Sequence, residues 1–298
     1  MNLAERLGYG PQDRVLIIHA DDVGVSHAAN QAAFEGMASG SITCGSILVP
    51  CPWFPEVAQY CREHPEADLG VHLTLTCEYP QYRWRGLTGR ETAPGLCDEQ
   101  GYLWLTAAEA HAHVSPEEGE RELRAQIEAA LAAGIDVTHL DTHMGTVLHP
   151  KFLGIYVSLG LEYRLPLFLV RPDRALLEKR GLESLWGLIE PQLLRVEEAG
   201  LPILDEILFD TLDHPPETKE AYYRQLFADL KPGVTHFIIH PACASDEMAA
   251  IAEDAASRAR DHELFRDGSM REYLLGLGVK LIGYREIRDA LRAGTLRS

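Results

Sequence analysis

Short apolar runs recur along this chain between longer amphipathic stretches, and this alternation restricts the fold more than any other feature. Val15 to His19 reads as a buried strand, and Ser26 is placed to cap a helix running through Ala38. Ile42 to Val49 is a second strand, followed by a helix to about His64, and Leu69 to Leu75 is a third. A helix over Pro116 to Ala133 leads into a strand around Val137 to Leu140. Leu167 to Val170, Ile203-Leu204, Phe237 to Ile239 and Lys280 to Ile282 continue the series. Repeated strand–helix units imply parallel strands, because a crossover helix returns the chain to the same edge. Seven or eight such units point to an α/β fold with a closed or nearly closed (β/α) barrel, the open doubly wound sheet being the alternative. A chain of 298 residues suits a single unit of this kind, and no linker or internal repeat divides it. The expectation is one barrel domain over residues 1–298, interrupted by an excursion over 77–114 after the third strand.

Charge and cysteine usage narrow the function classes. Lys and Arg number 27 against 45 Asp and Glu, a formal net charge of −18. Such a surface repels phosphate backbones, so no nucleic-acid partner is expected. No basic amphipathic helix, leader-like segment or long apolar run offers a membrane foothold, and the expected location is cytoplasmic. The six cysteines include no C-x-x-C pair, which argues against a structural zinc knuckle or redox motif and for free thiols.

The excursion from Cys77 to Val114 carries Tyr79, Tyr82, Trp84, Tyr102 and Trp104 among glycines, prolines and charges. A loop this long is usually functional or a small subdomain. Aromatic rings near a barrel mouth can cover the apolar faces of sugars, and Trp84 and Trp104 are the candidates; packing of the excursion against the barrel is the alternative.

Ionisable residues sit at the ends of the apolar runs. Asp21 and Asp22 follow the first strand, and His72 lies in the third. His139, Asp141 and His143 close the fourth, Arg171 follows the fifth, Asp205 and Asp210 the sixth, and His240 the seventh. In parallel α/β folds the carboxyl ends of the strands share one face, where active sites form. Residues two apart on a strand face the same way, so His139, Asp141 and His143 form a polar row that is costly to bury unless paired or metal-bound. His139 and Asp141 are expected to meet substrate. A mixed carboxylate and imidazole set suits one divalent ion, with zinc favoured and magnesium an alternative. Three protein ligands leave a position for water, whose acidity the ion raises, and the other carboxylate of the adjacent pair, Asp21, is free to take the proton.

These residues carry a resemblance. The run Ile18-His19-Ala20-Asp21-Asp22-Val23-Gly24 resembles the Asp-Asp-Phe-Gly opening of the YdjC-like carbohydrate deacetylases, with Val23 in place of Phe. Gly70 to Thr76 resembles that family's Gly-x-His-x-x-Leu-Thr segment, Thr138 to His143 its Thr-His-x-Asp-Ser-His segment, and His240-Pro241 its late His-Pro. Four motifs in register span most of the chain, ending at the similar Leu281 to Glu286. The resemblance implies a distorted (β/α) barrel and hydrolysis of an acetamido group on a mono- or oligosaccharide. By position it implies Asp22, His72 and His143 as metal ligands, Asp21 as base, His240 as acid, and Arg171 as the residue that orients Asp21. Asp205 or Asp141 is expected to support the His240 imidazolium. Where the family often continues with further histidines, this chain reads His143-Met144-Gly145-Thr146, and the particular sugar stays open. Two alternatives remain, a metal-dependent hydrolase of another amide or ester and a catalytically silent metal-binding protein. Self-association is left open.

Overall fold

Strand β1, Arg14–Val23, is the spine of the molecule, and every residue after Arg14 in it is buried. The computed structural model describes residues 1–171, 186–209 and 211–297, so Asp210 lies outside the described residues. Along one edge β1 pairs in parallel with β6, Gly233–Ile239, from Arg14↔Gly233 to Ala20↔Ile239. Its other edge is shared. The short β7, Lys280–Leu281, takes Val15 and Leu16, and β2, Cys44–Ile47, takes His19 to Val23. Strand β3, Leu69–Leu73, follows β2, and β4, Leu140–Thr142, follows β3.

Beyond β4 the ladder thins to single parallel bridges, Leu140↔Leu167 and Val170↔Leu204, before β5, Glu206–Leu208, rejoins β6. The strands thus curl into a distorted (β/α) barrel, as the strand–helix alternation anticipates. Helices His27–Ser39, Phe54–Glu63, Pro116–Ala132 and Pro150–Tyr163 accompany its first four strands.

Several boundaries differ from expectation. The third strand stops at Leu73 because the Gln126 side chain takes both backbone groups of Thr74, at 3.1 and 2.8 Å, in place of a neighbouring strand. Leu167–Val170 makes isolated bridges rather than a ladder, and the sixth apolar run forms its strand two residues after Leu204. The excursion folds onto the barrel. Cys77 N–H bonds to Trp104 O, and the fully buried Glu122 accepts from Leu87 N–H, Thr88 N–H and the Thr88 hydroxyl. Its Trp84, Leu96 and Leu103 join the barrel's own apolar cluster.

The centre of the barrel is polar. His19, His139 and His236 are fully buried there with Tyr284, whose hydroxyl lies 2.9 Å from His236 Nδ1 and whose ring stacks on His139 at 3.9 Å. Gly70 makes room for this layer, since a Cβ there would lie 2.6 Å from the His139 ring. Among the described residues no helix is long and apolar enough to cross a membrane. All six cysteines are free thiols.

Candidate metal centre

Adjacent residues of a regular strand point to opposite faces, so Asp21 and Asp22 should not share a site. The register between β1 and β2 shifts between Ala20 and Val23, and Asp22 adopts φ 63°. This irregularity turns both carboxylates toward one imidazole. His72 Nε2 lies 3.5 Å from Asp22 Oδ1 and 3.8 Å from Asp21 Oδ2. Aspartate tolerates the left-handed region better than most residues, and Gly24 (φ 99°) completes the turn.

His143 arrives from the turn after β4, with Nδ1 3.2 Å from Asp22 Oδ1. Asp22 Oδ1 is buried and has no aligned hydrogen-bond donor. The reason lies behind the rings. His72 Nδ1 is 2.8 Å from Asp141 Oδ1, and His143 Nε2 is 2.7 Å from Glu78 Oε2. A carboxylate only accepts, so a neutral ring spends its N–H on its carboxylate and is left with a lone pair on the nitrogen that faces Asp22. Register explains the first pair, because His72 stands opposite Asp141 across β3 and β4. Ser46 of β2 holds the far oxygen of Asp141 at 2.7 Å.

One carboxylate oxygen and two imidazole lone pairs converging in a buried space fit a divalent ion. The donor atoms of Asp22, His72 and His143 all lie within 4.8 Å of one another. A second buried grouping, His19, His139 and Asp141, fits less well. There the two Nε2 atoms already hydrogen-bond each other at 2.8 Å, and both rings are wholly enclosed, leaving no place for water or substrate.

Charge around the cluster is organised by Arg258, a residue the sequence reading passed over. Its guanidinium is buried, donates to Asp22 Oδ2 at 2.8 Å and to the Tyr79 hydroxyl at 3.1 Å, and pairs with Asp254 at 2.7 Å. Burial works to raise the Asp22 pKa, but Arg258 and the two histidines hold it well below the usual carboxylate range. Burial opposes protonation of His143, yet Glu78 and Asp22 outweigh it and raise its pKa to about 9, so a cation bound there takes the place of the ring's second proton. Asp254 and Arg258 stand four apart on a helix, indistinguishable in sequence from a surface ion pair. Glu78 was legible only as an acid soon after the third strand.

Asp21 sits beside the cluster. His19 Nδ1 donates to its Oδ1 at 2.7 Å, and its Oδ2 faces both His72 and, at 3.8 Å, His240 Nε2. Burial raises its pKa, and His72, His19 and His240 together bring it below the usual value. The backbone N–H of His240 is held at 3.1 Å by Asp261 Oδ2. The other oxygen of Asp261 takes the Tyr223 hydroxyl at 2.7 Å and Lys219 Nζ at 2.9 Å, all three side chains being enclosed.

Several expectations require correction. Arg171 is half exposed and pairs with Glu197; it does not reach Asp21, whose orienting partner is His19. Asp205 lies at the opposite end of the barrel, accepting from Leu3 N–H and, at 2.7 Å, from Val234 N–H. Neither Asp205 nor Asp141 supports His240; Asp21 faces it, and burial nonetheless pulls the His240 pKa below its ordinary value. His139 is fully enclosed and Asp141 is 3% exposed, so both act behind the site rather than on substrate. Trp84 is buried with its ring 6.2 Å from that of His143, and Trp104 stacks on His113 while its indole N–H bonds Gly95 O at 2.8 Å. Both rings pack the excursion. A cleft of about 700 Å³ runs past Glu78 and Tyr79, the partners of His143 and Arg258, toward Leu212, His214 and Ser257.

The fold and cluster together define an α/β-barrel protein with a buried aspartate–histidine cluster that could hold a metal ion at the carboxyl ends of its strands. The chain belongs to the YdjC-like protein family, whose family model matches residues 15–275. It is 36% identical over 302 aligned positions to the carbohydrate deacetylase of Thermus thermophilus, covering 98% of this chain and 100% of that one. It is 26% identical to the carbohydrate deacetylase of Brevibacillus brevis, over 91% of this chain and 99% of the other. A crystal structure from Enterococcus faecalis, described as a candidate cellobiose-phosphate cleavage protein, superposes with a TM-score of 0.75 at 26% identity, covering 92% of this chain and 99% of that chain.

Proposed function

We propose that this protein is a metal-dependent hydrolase that removes the acetyl group from an N-acetylated amino sugar or oligosaccharide. The observation that carries the reading is the unpartnered Asp22 Oδ1 facing His72 Nε2 and His143 Nδ1, with Asp21 and His240 placed beside it. Membership of the YdjC-like family and the activity named for its relatives support the sugar acetamide as substrate.

Asp22, His72 and His143 would hold the ion, and two imidazoles with one carboxylate favour zinc over magnesium on ligand softness. When bound, the ion supplies Lewis acidity toward the acetamide carbonyl and toward water. Asp21 is kept ionised by its histidine neighbours and oriented by His19, so its free Oδ2 takes the proton from the attacking water. His240, 3.8 Å from that oxygen, is placed to carry the proton on to the departing amine, which leaves poorly as an anion. Because burial keeps His240 neutral at rest, it receives this proton during the reaction rather than holding one beforehand. Arg258 contributes by fixing Asp22 Oδ2, so that Oδ1 alone faces the two rings.

The test is acetate release over a panel of N-acetylated mono- and oligosaccharides, using chelator-stripped protein and the same protein reconstituted with zinc or magnesium. Acetate from at least one sugar, lost on stripping and restored on reconstitution, is the expected result. Hydrolysis of other amides or esters without acetate from any sugar would replace the reading with that of a different hydrolase.

A further inference from the structure

Outside the Asp22–His72–His143 cluster, three unlike side chains of metal-binding type meet where two helices and a turn come together. Glu35 lies on helix His27–Ser39, His262 on helix Ala255–Phe265, and Cys243 in the turn after β6, three residues past His240. His262 Nε2 is 2.7 Å from Glu35 Oε2 and 3.7 Å from Cys243 Sγ, and the three donor atoms lie within 4.8 Å of one another. Cys243 is partly exposed, whereas the other five cysteines are buried. Its backbone N–H bonds Ala28 O at 2.9 Å, which ties the turn to the helix that bears Glu35.

We propose that Glu35, Cys243 and His262 form a second divalent-metal site, of zinc type, that shares no ligand with the cluster at the barrel mouth. Tetrahedral zinc bonded to sulfur at about 2.3 Å and to nitrogen at about 2.0–2.1 Å separates those two atoms by about 3.6 Å, close to the spacing seen here. The nitrogen–oxygen edge of the same tetrahedron is about 3.4 Å, so the ion must open the His262–Glu35 pair. Glu35 is free to move, since its side chain is 43% exposed, while that of His262 is 12% exposed and held more firmly. Thiolate and imidazole select zinc over magnesium or calcium, and the open side of Glu35 leaves access for water as a fourth ligand. Burial and then Glu35 raise the Cys243 pKa, with Arg266 opposing them, so the thiol gives up its proton only as the ion binds. A bound ion would fasten the turn that carries His240 to both helices.

Cobalt(II) separates this site from the other, because a cobalt–thiolate bond absorbs in the near ultraviolet and the proposed ligands at the barrel mouth include no sulfur. The full-length protein, reduced and stripped of metal, is titrated with cobalt alone. A sulfur-to-cobalt charge-transfer band is expected in the parent protein and in His72→Ala, and its complete loss in Cys243→Ser. Cys243→Ala gives the same loss and replaces the serine variant if that fails to fold. No band in the parent at saturating cobalt, or a band that survives substitution of Cys243, would overturn the proposal.

Discussion

At Asp22 the backbone enters the left-handed region at φ 63°, a conformation that costs a non-glycine residue on the order of 1–3 kcal/mol and persists where surrounding structure enforces it. Here it turns one carboxylate of an adjacent pair into the group facing two imidazoles, and leaves the other beside His240. The two aspartates should therefore separate cleanly. Asp21→Asn is expected to keep the metal while kcat falls by about 10²–10⁴-fold, the usual loss with a general base. Metal analysis together with steady-state kinetics checks this, and a metal-free Asp21→Asn protein would exchange the two roles. Glu78 acts one step further out, fixing which nitrogen of His143 faces Asp22. Glu78→Gln removes the charge and is expected to weaken metal affinity by about 10–100-fold, measurable by competition with a chelator of known strength. Unchanged affinity would reduce Glu78 to a surface acid. At this scale the sequence singled out the residues that the fold brings together, Asp21, Asp22, His143 and His240 because they close or follow strands and His72 because it interrupts an apolar one. Arg258 and Glu78 were not legible in their roles, since their partners are 236 and 65 residues away along the chain, while His19, only two residues from Asp21, read as the end of a buried apolar strand.

At the scale of elements, two supports can be tested by substitution. Trp84 belongs to the excursion yet packs behind His143, so its ring is part of the wall of the cluster rather than a sugar platform. Trp84→Ala is expected to destabilise the fold by about 3–5 kcal/mol, read from urea denaturation, and to lower metal occupancy. Full stability with only a raised KM would restore the stacking role. On the other side, helices Pro216–Ala228 and Ala255–Phe265 supply Lys219, Tyr223 and Asp261, which hold the backbone of His240 from behind. Lys219→Met leaves Asp261 enclosed without its cation, and breaking a buried pair in this way costs about 3–5 kcal/mol. Stability equal to the parent protein would show that hydrogen bonds alone satisfy Asp261. Strand boundaries were legible to within a few residues where apolar runs were long, as in β1 and β6. They were not where the ladder gives way to single bridges after β4, because there the neighbouring strand, not the local pattern, determines pairing.

For the whole molecule, β1 joins the parts, pairing with three other strands and ending in the Asp21–Asp22 turn. An ion held by Asp22, His72 and His143 would link β1, β3 and the turn after β4. Metal at 100 times its Kd is expected to add about 2.7 kcal/mol to stability and raise Tm by several degrees, with the gain absent in His72→Ala. Thermal melts of stripped and reloaded protein decide it; the same Tm in both would mean that the cluster holds no ion when folded. What the sequence by itself determined was the parallel α/β class, the excursion, and the residues delivered to the carboxyl ends of the strands. These follow from local periodicity and from the rule that parallel strands share a direction. Tertiary structure alone decided which polar groups meet. The β1 irregularity made two neighbouring aspartates face one histidine, and β3–β4 register set Asp141 behind His72. Distant helices brought Arg258 in and left Arg171 outside with Glu197. Such pairings depend on crossings between segments far apart in the chain, and no local pattern encodes which charge finds which partner.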